Sequence, residues 1–125
     1  MKNLIIDAAT DKIFFKIIID DKSYTSDHPN SRENFEKLTI LLFNFLAENS
    51  IKAEEINNIF INQGPGKFSG IRSSIAVAKA LNFTNESSIY GFDAQDAKDQ
   101  KYDKILDLFN KGLLTKNLIK PHYSS

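Results

Sequence analysis

The chain of 125 residues contains no cysteine. No disulfide framework, thiol nucleophile or thiolate metal site can be built from it, so packing alone must hold the fold. It has only two histidines, His28 and His122, and a metal pair or catalytic dyad would need the fold to bring these distant positions together. An excess of charge is also missing: 16 basic residues balance 16 acidic ones, which disfavours direct binding to a polyanion such as nucleic acid. Long apolar runs are absent as well. Leu4 to Ile6 is ended by Asp7, and Ile17 to Ile19 is equally brief, so neither resembles a signal peptide or a membrane span. A cytoplasmic protein with no membrane association is the expectation. The hydrophobic fraction of 42% is ordinary for a globular chain, and the length suits one domain rather than two independent cores.

The apolar pattern predicts an α/β organisation. Leu4 to Asp7 reads as a short buried strand and Ile13 to Ile19 as a longer one. Ser23 to Ser26 is a third with weaker apolar content. The short connections make these an antiparallel meander whose outer strand is an edge. Asn30 or Ser31 can cap a helix in which Phe35, Leu38, Leu41, Leu42, Phe45 and Leu46 recur at helical spacing through Ala47. Ile40 and Phe43 fall partly outside that stripe, so the helix has apolar surface to spare. A turn or short helix over Lys52 to Asn57 leads to a strand at Asn58 to Asn62, parallel to its neighbour through a right-handed crossover. A helix over about Gly70 to Asn82, capped by Ser69, follows, and Ser88 to Tyr90 is a final short strand. Beyond it, Tyr102 to Phe109 carries one short apolar helical face, with Gly112 as C-cap, and Leu118 to Tyr123 is apolar enough to dock.

The stretch Asn62-Gln63-Gly64-Pro65-Gly66-Lys67-Phe68-Ser69-Gly70-Ile71-Arg72 holds three of the five glycines. It invites a phosphate-binding reading, but both named motifs fail. A Walker A lysine directly follows the last glycine, whereas Lys67 follows Gly66, and Gly66 and Gly70 are spaced wrongly for a dinucleotide fingerprint. Two readings stay open: a turn that aims the following helix, with Lys67 and Arg72 as surface charge, or a turn that offers its backbone N–H groups to an anion. Asp7 at the end of the first strand, followed by Ala8-Ala9-Thr10, is where a magnesium-bound nucleotide could meet a carboxylate; it is equally a turn aspartate. Ser73 and Ser74 lie in a helix, and no nucleophile elbow occurs.

Taken together, Ile5-Ile6-Asp7-Ala8-Ala9-Thr10 and the glycine-rich stretch resemble the TsaB family, formerly called YeaZ. That family opens with I-D-T-[AS]-T and carries G-P-G-S-F-T-G-[LIV]-R before a helix of the A-x-A-K-[AG]-L type. Gly64, Pro65, Gly66, Phe68, Gly70, Ile71 and Arg72 match, as do Ala76, Ala78, Lys79, Ala80 and Leu81. Lys67 stands where serine is usual, and Ser69 replaces threonine. The resemblance covers about residues 3 to 92 and implies half of an actin-like ATPase (ribonuclease H-like) architecture, a mixed sheet in β-β-β-α-β-α order with the second lobe largely missing. The expected organisation is therefore a TsaB-like domain over residues 1–91 and a short helical extension over 92–125, of which only Pro121-His122-Tyr123 is similar to the family's P-x-Y ending.

By the same resemblance, the chain is a non-catalytic subunit with no cofactor and no metal. It pairs with a TsaD-like threonylcarbamoyltransferase, with a TsaE-like ATPase joining the complex. It meets tRNA only indirectly through that complex, during synthesis of threonylcarbamoyladenosine. A homodimer is the other pairing implied. Phe35, Leu38, Leu42, Ile71, Ile75 and Ala78 are the expected helical interface, although each could equally be core. The alternatives are a small actin-like nucleotide-binding enzyme using Asp7, Thr10 and the glycine-rich turn, or a degenerate homodimer that stands alone. Alanines at positions 8 and 9 argue against the enzyme, because a side chain there crowds a phosphate.

Overall fold

In the computed structural model, residues 1–85, 87–100 and 102–116 are described. Strands β1 (Lys2–Asp7), β2 (Lys12–Ile19) and β3 (Lys22–Pro29) form the expected antiparallel meander. Its second turn, Asp20-Asp21, is tight enough to hold Asp20 at a φ of 53°, a left-handed conformation that aspartate tolerates better than most residues. Helices α1 (Arg32–Glu36) and α2 (Leu38–Glu48) and a 3-10 turn at Ala53–Glu55 carry the chain over the sheet to β4 (Asn58–Asn62). Strand β4 runs parallel to β1. Helix α3 (Phe68–Asn85) leads to β5 (Ser88–Phe92), parallel to β4, and a 3-10 turn at Ala94–Gln100 leads to α4 (Asp103–Asn110) and the two-residue strand β6 (Thr115–Lys116). The six strands lie in the order β3-β2-β1-β4-β5-β6.

Period-two alternation divides the side chains between two faces. Leu4 and Ile6 of β1, Ile13, Phe15 and Ile17 of β2, Ile59 and Ile61 of β4 and Ile89 of β5 point to one face, where Leu38, Leu42, Phe45 and Leu46 of α2 and Val77, Ala78 and Leu81 of α3 meet them. The intervening residues Ile5, Phe60 and Phe92 point to the other face and are covered by Ala97, Tyr102 and Ile105. Aromatic contacts tie this second layer together: Phe109 meets Phe60 edge-on at 5.3 Å and Tyr90 at 5.0 Å between ring centroids. The central strands are thus covered on both sides, which explains why β4 is buried at all five positions, with the apolar Ile59-Phe60-Ile61 at its centre.

The structure departs from the sequence reading in three places. The single helix expected over Asn30 or Ser31 to Ala47 is interrupted at Lys37, giving α1 and α2. Ser31 is its cap, because its Oγ accepts the Asn34 N–H at 3.2 Å; Asn30 does other work, described below. Ser69 lies inside the first turn of α3 rather than before it, since that helix starts at Phe68. Strand β6 was not foreseen, because two polar residues carry no periodic signal. The expected C-cap at Gly112 is found: its φ is +70°, its N–H donates to Phe109 O, and the Leu113 N–H donates to Leu108 O, both at 3.0 Å, the paired bonds of a Schellman end. The expected docking of Leu118 to Tyr123 and the position of His122 lie outside the described residues.

Candidate functional site

The glycine-rich loop leaves β4 and lands directly on the β1–β2 turn. Here the absence of side chains is a steric requirement. A Cβ added at Gly70 would lie 1.7 Å from Ala8 O, and one at Gly66 would lie 2.5 Å from Ala9 O. Backbone meets backbone at both points. The Lys67 N–H, just before α3, donates to Ala9 O at 2.9 Å, so a carbonyl of the chain occupies the place an anion would take at that helix terminus. Of the two open readings of the loop, the geometry supports the turn that aims α3.

The same β1–β2 turn is gripped from the other side. Asn30 donates its side-chain amide to Ala8 O at 3.1 Å and to Thr10 O, and its backbone N–H to Asp11 O at 3.0 Å. Thr10, a weak candidate for ligand binding, is exposed and enters this site through its carbonyl. Lys67, unexplained by the family pattern, places Nζ 3.6 Å from Asp11 Oδ1. Both side chains are largely exposed, so that pair adds little. Gly64 has a φ of 100° and a cis bond to Pro65; its N–H donates to Asn62 Oδ1 and its carbonyl accepts the Ala94 N–H, each at 2.9 Å. Pro65, Ser69 and Arg72 are exposed.

Asp7 lies at the carboxyl end of β1, on the second face, and is 4% exposed. Both of its oxygens are engaged. Oδ1 accepts from Asn62 Nδ2 at 3.0 Å and from the Ala9 N–H at 3.4 Å. Oδ2 accepts the Tyr102 hydroxyl at 2.8 Å. Burial pushes the Asp7 carboxyl above its ordinary range, and the donors from Tyr102, Asn62 and Ala9 only partly counteract that. Tyr102 is 1% exposed, and burial followed by the charge of Asp7 drives its phenol far above the ordinary range, so it remains a donor. Its ring stacks on Phe14 at 5.3 Å and meets Phe92 edge-on at 6.3 Å, with Lys16 Nζ 5.9 Å from its centroid.

This arrangement is a closed polar cluster. A carboxylate whose two oxygens are satisfied internally and whose approach is filled by an aromatic ring is not presented to a metal or a nucleotide. Tyr102 is the residue that sequence reasoning missed. It was placed only as part of a helical face, and no spacing rule links it to a partner 95 positions away. Beside the cluster, the Gln63 amide donates to Asp93 Oδ1 at 3.0 Å and Lys104 pairs with Asp96 at 3.2 Å, at the rim of a cavity of about 190 Å³. His28 shares a hydrogen bond with Ser26 on the edge strand at 3.1 Å. Among the described residues no group of three or more histidine, aspartate or glutamate side chains gathers in one place, and no helix is long and apolar enough to cross a membrane.

The expected interface residues divide on the helices. Leu38, Leu42, Ile71 and Ala78 lie in the core, at 2%, 0%, 0% and 0% exposure, because both helices turn that stripe toward the sheet. A partner cannot touch them while the fold is intact, so as contact residues they are corrected to core. Ile75 is half-buried against them; Phe35 is a residue of α1. The apolar surface on α2 is instead Ile40 at 60% and Phe43 at 44% exposure. Helix α4 does not cover it, since α4 sits on the opposite face of the sheet.

Comparison with known proteins places these features. The family model described as TsaD, tRNA N6-adenosine threonylcarbamoyltransferase, matches residues 23–102. The tRNA threonylcarbamoyladenosine biosynthesis protein TsaB of Buchnera aphidicola subsp. Schizaphis graminum is 26% identical over 98 residues, covering 78% of this chain and 47% of that protein. Among solved structures, YeaZ from Pseudomonas aeruginosa superposes with a TM-score of 0.72 at 18% identity, over 89% of this chain and 50% of that one. RuvC of T. thermophilus in complex with a Holliday junction substrate gives 0.62 at 8% identity, over 93% of this chain and 99% of that one. At these identities the structures show the fold, which is the expected actin-like, ribonuclease H-like mixed sheet. The chain spans about half the length of the TsaB and YeaZ relatives it matches.

Proposed function

The chain belongs to the family described as TsaD, tRNA N6-adenosine threonylcarbamoyltransferase, and from its likeness to TsaB and YeaZ we propose that it is a non-catalytic subunit of the TsaB kind. Its partner is a TsaD-type transferase, which it supports in modifying tRNA. The observation that carries the pairing is the apolar pair Ile40 and Phe43 on α2, exposed on the helical face and left uncovered by α4. Covering what remains exposed of these two side chains contributes roughly 1–1.5 kcal/mol each, before the entropy lost on association is subtracted.

The non-catalytic half of the reading is supported by the enclosure of Asp7. The fold's most plausible ligand carboxylate is held by Asn62 and Tyr102, which argues against the nucleotide-binding enzyme. In this reading the chain holds no cofactor, meets tRNA and any TsaE-type ATPase through the complex, works in the cytoplasm, and uses residues 92–125 where longer relatives carry further structure. Co-purification with the TsaD-type subunit of the same cell tests it. The wild-type chain is expected to form a complex at micromolar concentration, and the double variant Ile40→Asp, Phe43→Asp to lose it while keeping its melting temperature. A folded wild-type chain that forms no complex overturns the proposal. Sedimentation with and without the partner separates this reading from a homodimer that stands alone.

A further inference from the structure

A cavity on the second face of the sheet takes no part in the proposed pairing. It measures about 190 Å³ and lies at the carboxyl ends of β4 and β5, the end of a parallel sheet at which α/β folds bind their ligands. Gln63 and Asp93, the first residues after those two strands, line it together with Asp96 of the following 3-10 turn and Lys104 of α4. Phe92 and Leu108 add apolar surface. Leu113, 66% exposed, marks the side open to solvent.

The charges of this lining do not cancel, because two carboxylates meet one lysine. Asp96 is the carboxylate that is matched: its Oδ1 is 3.2 Å from Lys104 Nζ, and its Oδ2 accepts the Asp93 N–H at 3.2 Å. Asp93 is held in place without being neutralised. Its Oδ1 accepts from Gln63 Nε2 at 3.0 Å, and Gln63 is itself only 8% exposed. Gln63 Oε1 and Asp93 Oδ2 remain as acceptors, and no donor among the described residues reaches either. We propose that the cavity binds a small primary ammonium compound with a short apolar chain, the ammonium donating to Asp93 Oδ2 and Gln63 Oε1 and the chain lying against Phe92 and Leu108. A primary ammonium carries three donors, no acceptor and the missing positive charge. An anion would meet the uncompensated carboxylate, and a neutral alcohol would leave one acceptor unserved. A cavity of about 150 Å³ holds a benzene molecule, so this one takes roughly six to eight non-hydrogen atoms. Because Gln63 and the Asp93 N–H already fix the carboxylate, little further ordering is lost on binding. The site lies across the sheet from Ile40 and Phe43 and does not rest on the pairing they support.

Amide NMR titration of the full chain with n-butylammonium tests the site, at about pH 7 where the amine is charged, with 1-butanol as the neutral molecule of equal chain length. Saturable shifts are expected at Gln63, Gly91, Phe92, Asp93 and Leu108, with a Kd of about 1 mM or tighter, while Ile40 and Phe43 do not move. Butanol should bind at least about tenfold more weakly. Asp93→Asn keeps an acceptor for Gln63 and removes the charge, and it should weaken butylammonium binding about tenfold or more. Asp103→Asn, at an exposed position of α4 outside the lining, should change it less than about twofold. If Asp93→Asn does not fold, the comparison with butanol decides the matter in the wild type. The proposal is overturned if butylammonium gives no saturable shifts at these residues up to about 20 mM, or if butanol binds equally well. It is equally overturned if folded Asp93→Asn binds butylammonium as tightly as the wild type.

Discussion

Gly70→Ala separates the steric account of the glycine-rich joint from a purely helical one. Gly70 lies in the first turn of α3, where replacing glycine by alanine ordinarily stabilises a helix by up to about 1 kcal/mol. The structure reverses that sign. The new Cβ would lie 1.7 Å from Ala8 O and 2.8 Å from Ala8 C, whereas carbon and oxygen in ordinary contact are about 3.4 Å or more apart. The atoms in the way are backbone, so no rotamer change relieves them. Either α3 or the β1–β2 turn must retreat by more than an ångström. That movement weakens the Lys67 N–H to Ala9 O bond and the Asn30 bonds to Ala8 and Thr10. Overpacking costs about 1–3 kcal/mol and each compromised hydrogen bond about 0.5–1.5 kcal/mol, so a loss of roughly 3 kcal/mol or more is expected. For a chain of this size that lowers the melting temperature by about 10 °C or more. Urea titration followed by far-ultraviolet circular dichroism measures it, with Ser69→Ala on the exposed side of the same turn as the control. A Gly70→Ala variant as stable as the wild type would refute the close approach of α3 to Ala8.

Other outcomes follow from the same geometry. At Gly112 a Cβ has open space but φ is +70°, so Gly112→Ala should cost only about 1 kcal/mol, a third or less of the Gly70→Ala effect in the same titration. Leu42→Ala in the core should cost about 2–5 kcal/mol, and Ile40→Ala on the surface less than about 0.5 kcal/mol; equal losses would contradict the assignment of one to core and the other to surface. Asp7 has a folded-state value raised above its unfolded one, so its stabilising contribution is complete below the ordinary carboxylate range and is lost as pH rises through the folded value. The urea midpoint of the wild type should therefore fall relative to that of Asp7→Asn as pH is raised from about 4 to 7; a difference that stays flat would show that Asp7 is not desolvated. Lys67→Ala removes an exposed ion pair and should change stability by less than about 0.5 kcal/mol, as thermal melting at two salt concentrations would show.

The legible part of this protein was its local chemistry. Alternation in Ile13 to Ile19, helical spacing in Phe35 to Leu46, the C-cap at Gly112 and the short links between the first strands all act within a few residues, and the structure contains them. The glycine-rich stretch identified the joint, and its misplaced lysine argued against a Walker loop before any contact was known. The helix break at Lys37 was not legible, because the apolar stripe runs across it without interruption and periodicity takes no account of where hydrogen bonds lapse. The split between Leu42 and Ile40 was only half legible: the sequence marked Ile40 and Phe43 as lying off the main stripe but could not say whether another element covered them.

What the amino-acid sequence determined by itself is most of the elements and their order, since these depend on backbone preferences and side-chain patterns of short range. What only the tertiary structure decided is where those elements meet. Gly66 and Gly70 are required because Ala8 and Ala9 lie against them, and Asp7 is enclosed because Tyr102, 95 residues later, returns to the end of β1. Contacts of that range arise from the crossover of the chain between β3 and β4 and from packing on the second face of the sheet. No local pattern encodes them, because the hydrogen-bonding capacity of an aspartate or a tyrosine is the same whichever partner the fold brings to it.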